Sequence, residues 1–220
     1  MINEIFKYFQ RPDNGWDPVP IEYAVKYSER SWENIDTSML EKIVEITGSL
    51  KDKTILDLGG GPGQYSVAFA QLGGHVTWLD VSRNYLNIAN DKAIEHNVDI
   101  NFILAYMDDA ERLIGANSCE FIFNRICWYY CVNDKKFASS IVNMLKKGGY
   151  AYLDIFTYDL ANISFTRRLL QKLYFLTKYK FGHLLPRQGQ ISTLFRKFED
   201  IEIVPLDSTD RNERFIIIKY

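Results

Sequence analysis

The sequence predicts an α/β fold: a seven-stranded, mostly parallel sheet with helices on both faces and an antiparallel strand pair at the C-terminal end. Three observations predict it. From residue 54 onward, short apolar runs alternate with stretches whose apolar residues recur at helical spacing. Capping residues or glycines bound most of the helical stretches. The last two apolar runs, IEIVPL and RFIIIKY, are joined by the turn-rich DSTDRNE, which suits an antiparallel pair. Such alternation lays parallel strands side by side with helices packed over them. A chain of 220 residues is long enough to bury one such core. Residues 1–220 are therefore expected as a single domain, with a helical, aromatic cap over 1–50 and an insert at 159–189.

The elements follow in order. RPDNGWDPVP reads as a loop, because prolines and Asn-Gly punctuate it. Ile21 to about Leu50 reads as one or two helices, with Met39, Ile43 and Ile46 on one face and Gly48 as the stop. TILDL (54–58) is a buried strand, and 64–72 a helix closed by Gly73-Gly74. HVTWLD (75–80) is the second strand. Ser82 then caps a helix whose apolar face carries Leu86, Ala89 and Ala93. INFILAY (100–106) and EFIFN (120–124) are the third and fourth strands. Asp134 is expected to cap a helix with Phe137, Ile141, Met144 and Leu145 inward, ended by Gly148-Gly149. YAYLDIF (150–156) is the fifth strand, and 191–198 the last helix before the terminal pair.

Composition narrows the function classes. The chain is 47% apolar and 25% charged, as soluble globular proteins are. A net charge of −2 argues against general nucleic-acid binding, which needs a basic surface. Three cysteines, Cys119, Cys127 and Cys131, are too few for a disulfide framework and suit a reducing compartment. Cys127 and Cys131, four apart, would share a helix face. No His or Cys stands at complementary zinc spacing, so no metal is expected and the thiols read as small buried hydrophobes. MINEIFKYFQ has no secretory character, and no window approaches the roughly 18 apolar residues of a membrane span. The expectation is a cytoplasmic protein, monomeric or homodimeric.

Ligands of such sheets bind beyond the carboxyl ends of the strands, so the residues just after each strand matter most. The first strand runs into Asp57-Leu58-Gly59-Gly60-Gly61-Pro62-Gly63. Glycines there let a backbone approach a ligand, and the following helix offers free N–H groups. The second strand ends at Asp80, whose carboxylate can accept both hydroxyls of a ribose or simply cap the next helix. The third is followed by Met107, Asp108 and Asp109, an apolar side chain for a ring face and acids for an amino group. The fourth ends at Asn124-Arg125.

Together these segments resemble the class I S-adenosylmethionine (SAM)-dependent methyltransferases, a Rossmann-like family. DLGGGPG resembles the family's acid-x-Gly-x-Gly-x-Gly motif at Asp57, Gly59, Gly61 and Gly63, with Gly60 between. WLDVS resembles its second motif, which implies Asp80 as the ribose ligand and Val81 as a neighbour of adenine. AYMDDAERL resembles the third, implying Met107 on the ring and either Asp108 or Asp109 at the adenine amino group. FIFNRICWYY resembles the fourth-strand segment, where Asn124 and Arg125 would border the methionine part. The resemblance covers about 50–220 apart from the insert. It implies SAM as cofactor, S-adenosylhomocysteine (SAH) as product, and a small-molecule acceptor, anionic or linked to a lipid or nucleotide. A dinucleotide dehydrogenase is disfavoured because its loop wants glycine where Gln64 stands. A non-catalytic SAM-binding or scaffold relative is the alternative.

The acceptor side is carried by two other regions. The insert 159–189 holds Arg167, Arg168, Lys172, Lys178, Lys180 and Arg187 against Asp159, a net +5 where the rest of the chain sums to −7. Leucines and aromatics interleave with these charges. It reads as a packing helix with a solvated basic face, as a lid over an anionic substrate, or as a membrane-surface helix making peripheral contact. In the cap, Trp16, Tyr23, Tyr27 and Trp32 are candidates to close over the donor, with Tyr27 and Arg30 the chosen contacts. His183, Asp154, Tyr158 and Asp159 are comparable candidates for a general base, and none is singled out as catalytic.

Overall fold

The computed structural model describes residues 10, 12, 15–158, 165–177, 180, 184–209 and 211–220. The strands follow the order β3-β2-β1-β4-β5-β7-β6 in a seven-stranded sheet. The chain divides into two units, Met1–Ala110 and Glu111–Tyr220.

In the first unit, α1 (Ile21–Glu33) and α2 (Thr37–Thr47) precede β1 (Thr54–Leu58). Then come α3 (Gln64–Gln71), β2 (His75–Asp80), α4 (Arg83–Glu95) and β3 (Ile100–Leu104). β1 pairs with β2 and β2 with β3, all parallel. Ile55 to Leu58 are buried without a break, so both faces of β1 are covered, as a parallel strand requires. Asp36 caps α2 by accepting from the Met39 amide, and Gly48 closes the helix with φ +73°.

The second unit continues the short helix α5 (Ala110–Ile114) into β4 (Cys119–Arg125), α6 (Asp134–Met144) and β5 (Leu145–Phe156). α7 (Phe165–Thr177), α8 (Gln190–Phe195), β6 (Ile201–Pro205) and β7 (Asn212–Lys219) follow. β4 and β5 are parallel, and β7 runs antiparallel to both β5 and β6, as the terminal runs predict. The core here is aromatic. Trp128 meets Phe137 edge-on at 4.8 Å, and Phe195 meets Phe215 at 5.8 Å.

Three sequence expectations are corrected here. α6 is capped by Asn133, which accepts from Lys136, and Asp134 is its first helical residue. α6 stops at Met144 rather than at Gly148-Gly149, because the Lys219 ammonium donates to the carbonyls of Val142 and Leu145, both at 2.9 Å. Gly149 instead serves a register shift between β4 and β5, where a Cβ would stand 2.8 Å from the Lys146 carbonyl oxygen. Cys127 and Cys131 flank a short 3₁₀ turn, Trp128–Tyr130, so they share no helix face.

Candidate functional site: the glycine loop and Asp80

The loop after β1 is held from its backbone outward. Gly59 and Gly60 both donate to the Leu79 carbonyl of β2, at 2.8 and 3.2 Å. The Trp78 indole donates to the Gly61 carbonyl at 3.0 Å, and the Trp32 indole to that of Pro62 at 3.1 Å. Two of its glycines are required for different reasons. A Cβ on Gly60 would lie 2.2 Å from the buried Trp78 ring. Gly61 has φ +50°, and a Cβ there would meet no heavy atom within 4 Å. The first glycine makes room for the protein's own core. The second faces open space.

Asp57 sits under this loop, buried, and its Oδ2 accepts from the Ser66 hydroxyl at 2.6 Å. Burial pushes its pKa up to about 7, against the lowering effect of the Ser66 bond, and the Asp80 charge adds to the rise. Asp80, at the end of β2, is half-buried. Its Oδ2 accepts from the Gly61 amide at 3.0 Å and its Oδ1 from the Ser82 amide at 2.9 Å. Burial raises the Asp80 pKa, the Ser82, Gly61 and Val81 amides oppose that, and the Asp17 carboxylate adds to it. An ionised carboxylate has about four acceptor positions. The Gly61 and Ser82 amides take one position on each oxygen, so the carboxylate can still accept from a ligand, and the ribose reading and the helix-capping reading are not exclusive.

Met107, Asp108 and Asp109 form a 3₁₀ turn directly after β3, and all three are half-buried. Val81, also half-buried, follows Asp80. Tyr106 precedes the turn. Its hydroxyl donates to the Gln10 carbonyl at 2.8 Å, and its ring stacks with Trp16 at 6.4 Å between centroids. The other cap aromatics lie along α4. Tyr23 stacks on Tyr27, Tyr27 tilts against Tyr85, and Trp32 stacks on His96 with Lys92 above it. Arg30 is exposed, with its carbonyl accepting from Asn34.

In the second unit, Asn124 is buried and its amide donates to the Cys127 sulfur at 3.0 Å. Arg125 is paired with Asp154 at 3.3 Å, and Arg214 pairs with the same carboxylate at 3.2 Å. Asn212 donates to it as well, at 2.8 Å. The base candidate Asp154 is thus fully buried and held by three side chains. Tyr158 donates to Gln171 at 2.6 Å and accepts from Arg187 at 2.8 Å. His183 and Asp159 lie outside the described residues.

Sequence reasoning missed two centres. Asp17 accepts from the Ser82 hydroxyl and from the Asn84 amide, both at 2.9 Å, joining the cap loop to α4. Asp134, read as a cap, is a buried hub. Its Oδ1 meets Lys180 at 2.6 Å and accepts from the Trp128 indole at 2.9 Å, and its Oδ2 accepts from Tyr174 at 2.6 Å. No local pattern marks either residue, because partners such as Tyr174 of Asp134 and Ser82 and Asn84 of Asp17 are 40 to 67 residues away in the chain.

Comparison with known proteins agrees with this geometry. Residues 55–149 match the methyltransferase domain family. A ubiquinone biosynthesis O-methyltransferase of Shewanella pealeana is 26% identical over 161 residues, covering 71% of this chain and 63% of that protein. A phosphoethanolamine N-methyltransferase of Zea mays is 27% identical over 131 residues, covering 59% of this chain and 26% of that protein. The chain therefore spans less than two thirds of the length of these curated relatives. Among solved structures, a SAM-dependent methyltransferase from Aquifex aeolicus superposes with a TM-score of 0.62 at 16% identity, covering 90% of this chain and 96% of that one. At that identity the likeness is one of fold. The family's methyl donor is SAM, and the open space at Gly61 with the spare acceptor positions of Asp80 fits it. By matched domain and by fold, the chain is similar to the class I SAM-dependent methyltransferases.

Proposed function

We propose that this chain transfers a methyl group from SAM to a small-molecule acceptor. The observation that carries the reading is Asp80, ionisable, half-buried and only partly consumed by amides, next to a glycine loop with open space above Gly61. In this reading Asp80 holds the ribose hydroxyls. Val81 and Met107 flank the adenine, and Asp108 or Asp109 accepts from its amino group. Gly59, Gly61 and Gly63 let the loop backbone approach, and Asp57 with Ser66 braces it from beneath. When bound, SAM supplies a methyl group already activated by its sulfonium charge. What the protein adds is alignment of the acceptor, and a base only where the acceptor must lose a proton.

The test is calorimetric titration with SAH. Wild-type protein should bind it in the micromolar-to-millimolar range. Asp80→Ala should weaken binding about 100-fold, since a hydrogen bond to a charged group contributes about 1.5–3 kcal/mol. No heat with either SAM or SAH would sink the reading. Binding with no methyl transfer to any small-molecule fraction would favour the non-catalytic alternative.

A second observation bears on the acceptor. α7 turns Gln171 and Tyr174 toward the protein, while Leu169, Leu173 and Leu176 are 59%, 38% and 83% exposed. Arg168 and Lys172 are exposed beside them. An outward apolar stripe with basic neighbours supports peripheral contact with an anionic membrane, and with it a lipid-linked acceptor. The named relatives act in ubiquinone biosynthesis and on phosphoethanolamine, which suits a lipid-linked or an anionic acceptor. Co-sedimentation with vesicles containing anionic lipid should succeed and should fail after Leu169→Ser, Leu173→Ser and Leu176→Ser together. No binding by the wild type to either neutral or anionic vesicles would remove the membrane reading.

A further inference from the structure

The acid at the end of β2 has two competing employments. The first turn of α4 leaves backbone N–H groups that need acceptors. Asp80 is the nearest carboxylate in the chain and would ordinarily fold back to supply them. In this protein it supplies only the Ser82 amide. The Tyr85 amide is taken by the Ser82 hydroxyl at 3.2 Å, and the Asn84 amide by Asp17 at 2.9 Å.

Asp17 comes from the cap loop and is held from both sides. Its Oδ1 accepts from its own Val19 amide at 2.8 Å and from the Ser82 hydroxyl at 2.9 Å. The Asn84 side chain returns a bond to the Val19 carbonyl at 2.7 Å. Ser82 therefore stands between two carboxylates, its N–H on Asp80 and its O–H on Asp17. The negative charge of Asp17 lies where α4's N-terminal dipole favours an anion, which offsets the repulsion between the two acids.

The same loop is tied to the end of β3. Arg83 donates to the Pro12 carbonyl at 3.1 Å, Tyr106 donates to the Gln10 carbonyl, and Trp16 stacks on Tyr106. The cap loop thus bridges the two strand ends that carry Asp80 and the Met107–Asp109 turn.

We infer that Asp17 is a positioning residue for nucleoside binding: by taking over the capping of α4 it fixes Ser82 and leaves Asp80 aimed at the ribose diol. The inference rests on the SAM reading above. Asp17 itself touches no ligand in this account, so its effect should be specific to what Asp80 holds.

The experiment compares SAH with its 2′-deoxy analogue by calorimetry, together with thermal melts. In wild-type protein SAH should bind more tightly than the analogue, and Asp80→Ala should erase the difference. Asp17→Ala should weaken SAH at least tenfold while weakening the analogue less than threefold. Asp17→Asn keeps an acceptor at one position and should fall between; it also serves if the alanine variant does not fold. Equal losses for both ligands, or no loss for either, would overturn the inference, since a plain helix cap cannot distinguish them. If wild-type protein binds neither ligand, the SAM reading fails, an outcome distinct from failure of the Asp17 role.

Discussion

Asp80 in the first unit and Asp134 in the second are both carboxylates withdrawn from water, yet they are spent differently. Asp134 is 2% exposed, and its acceptor positions are filled by Lys180, Trp128, Tyr174 and, at 3.4 Å, Gln190. Every one of these partners is a side chain. Asp80 accepts from the Gly61 amide of the glycine loop and the Ser82 amide that follows it, and has capacity left over. A buried acid with all its acceptor positions occupied is a fastener. One with positions to spare, at a strand end and beside an open glycine, is what the proposed function uses as a receptor. The pKa directions agree: burial raises the Asp80 carboxyl, while the Asp134 carboxylate helps outweigh the burial that works against the Lys180 charge.

The largest expected effect comes from breaking the fastener. Asp134→Ala leaves a buried ammonium without its carboxylate, and removing one partner of such a pair costs about 3–5 kcal/mol. Urea denaturation should show that loss. A drop within the error of a surface substitution would mean that the hub around Asp134 is not a structural lock. It would also mean that the segment bearing Tyr174 and Lys180 is held by something else.

Breaking the receptor should do the reverse. Asp80→Asn should weaken SAH binding by about 10–100-fold, since hydrogen bonds to an ionised group contribute about 1.5–3 kcal/mol each and asparagine keeps one acceptor oxygen. Its stability should fall only modestly, by at most about 1–3 kcal/mol, because relief of the buried charge is set against one amide donor that now faces an NH2 group. A large loss of stability with intact affinity would assign Asp80 to the same class as Asp134.

The glycines divide along the same line. Gly60→Ala drives a methyl into Trp78, and overpacking of this kind costs typically about 1–3 kcal/mol. Gly61→Ala meets no atom of the protein and carries only the strain of a left-handed alanine, about 1–2 kcal/mol. The two variants should therefore resemble each other in denaturation. They should part in calorimetry, where the alanine at Gly61 obstructs SAH and the one at Gly60, in whatever fraction folds, does not. Equal affinities would show that the space over Gly61 is not where the donor passes.

The proposed donor site was legible in the sequence and the hub at Asp134 was not, for a physical reason. Glycines, a strand-terminal acid and an N-cap serine act on neighbours within a few residues, so their spacing records their role. TILDLGGGPG and WLDVS are of this kind. Asp134 and Asp17 act on groups brought close only by folding, and their nearest residues in sequence suggest nothing more than a cap and a loop. The stop of α6 was misjudged for the same reason, since Lys219 reaches its end carbonyls from 74 and 77 residues away. The seven strands and the terminal antiparallel pair follow from local periodicity and turn residues, and the structure has both.

Asp57 combines the two kinds of acid, and its effect is spread over pH and shows least at any single pH step. It is buried like Asp134 but accepts from Ser66 rather than from an ammonium, and burial pushes its pKa up to about 7. The folded state therefore keeps a proton that the unfolded chain has released by about pH 4. Stability from this group is full below the unfolded value and falls as pH rises toward the folded one, at no more than about 1.4 kcal/mol per pH unit. Asp57→Asn keeps the acceptor for Ser66 and removes the titration. The difference in unfolding free energy between wild type and variant should thus change steadily between about pH 4.5 and 6.5, bounds set about half a unit inside the window, and level off near about pH 8. A flat difference across that range would mean that Asp57 is ionised in the folded protein, and that a positive group or a donor holds it as Lys180 holds Asp134.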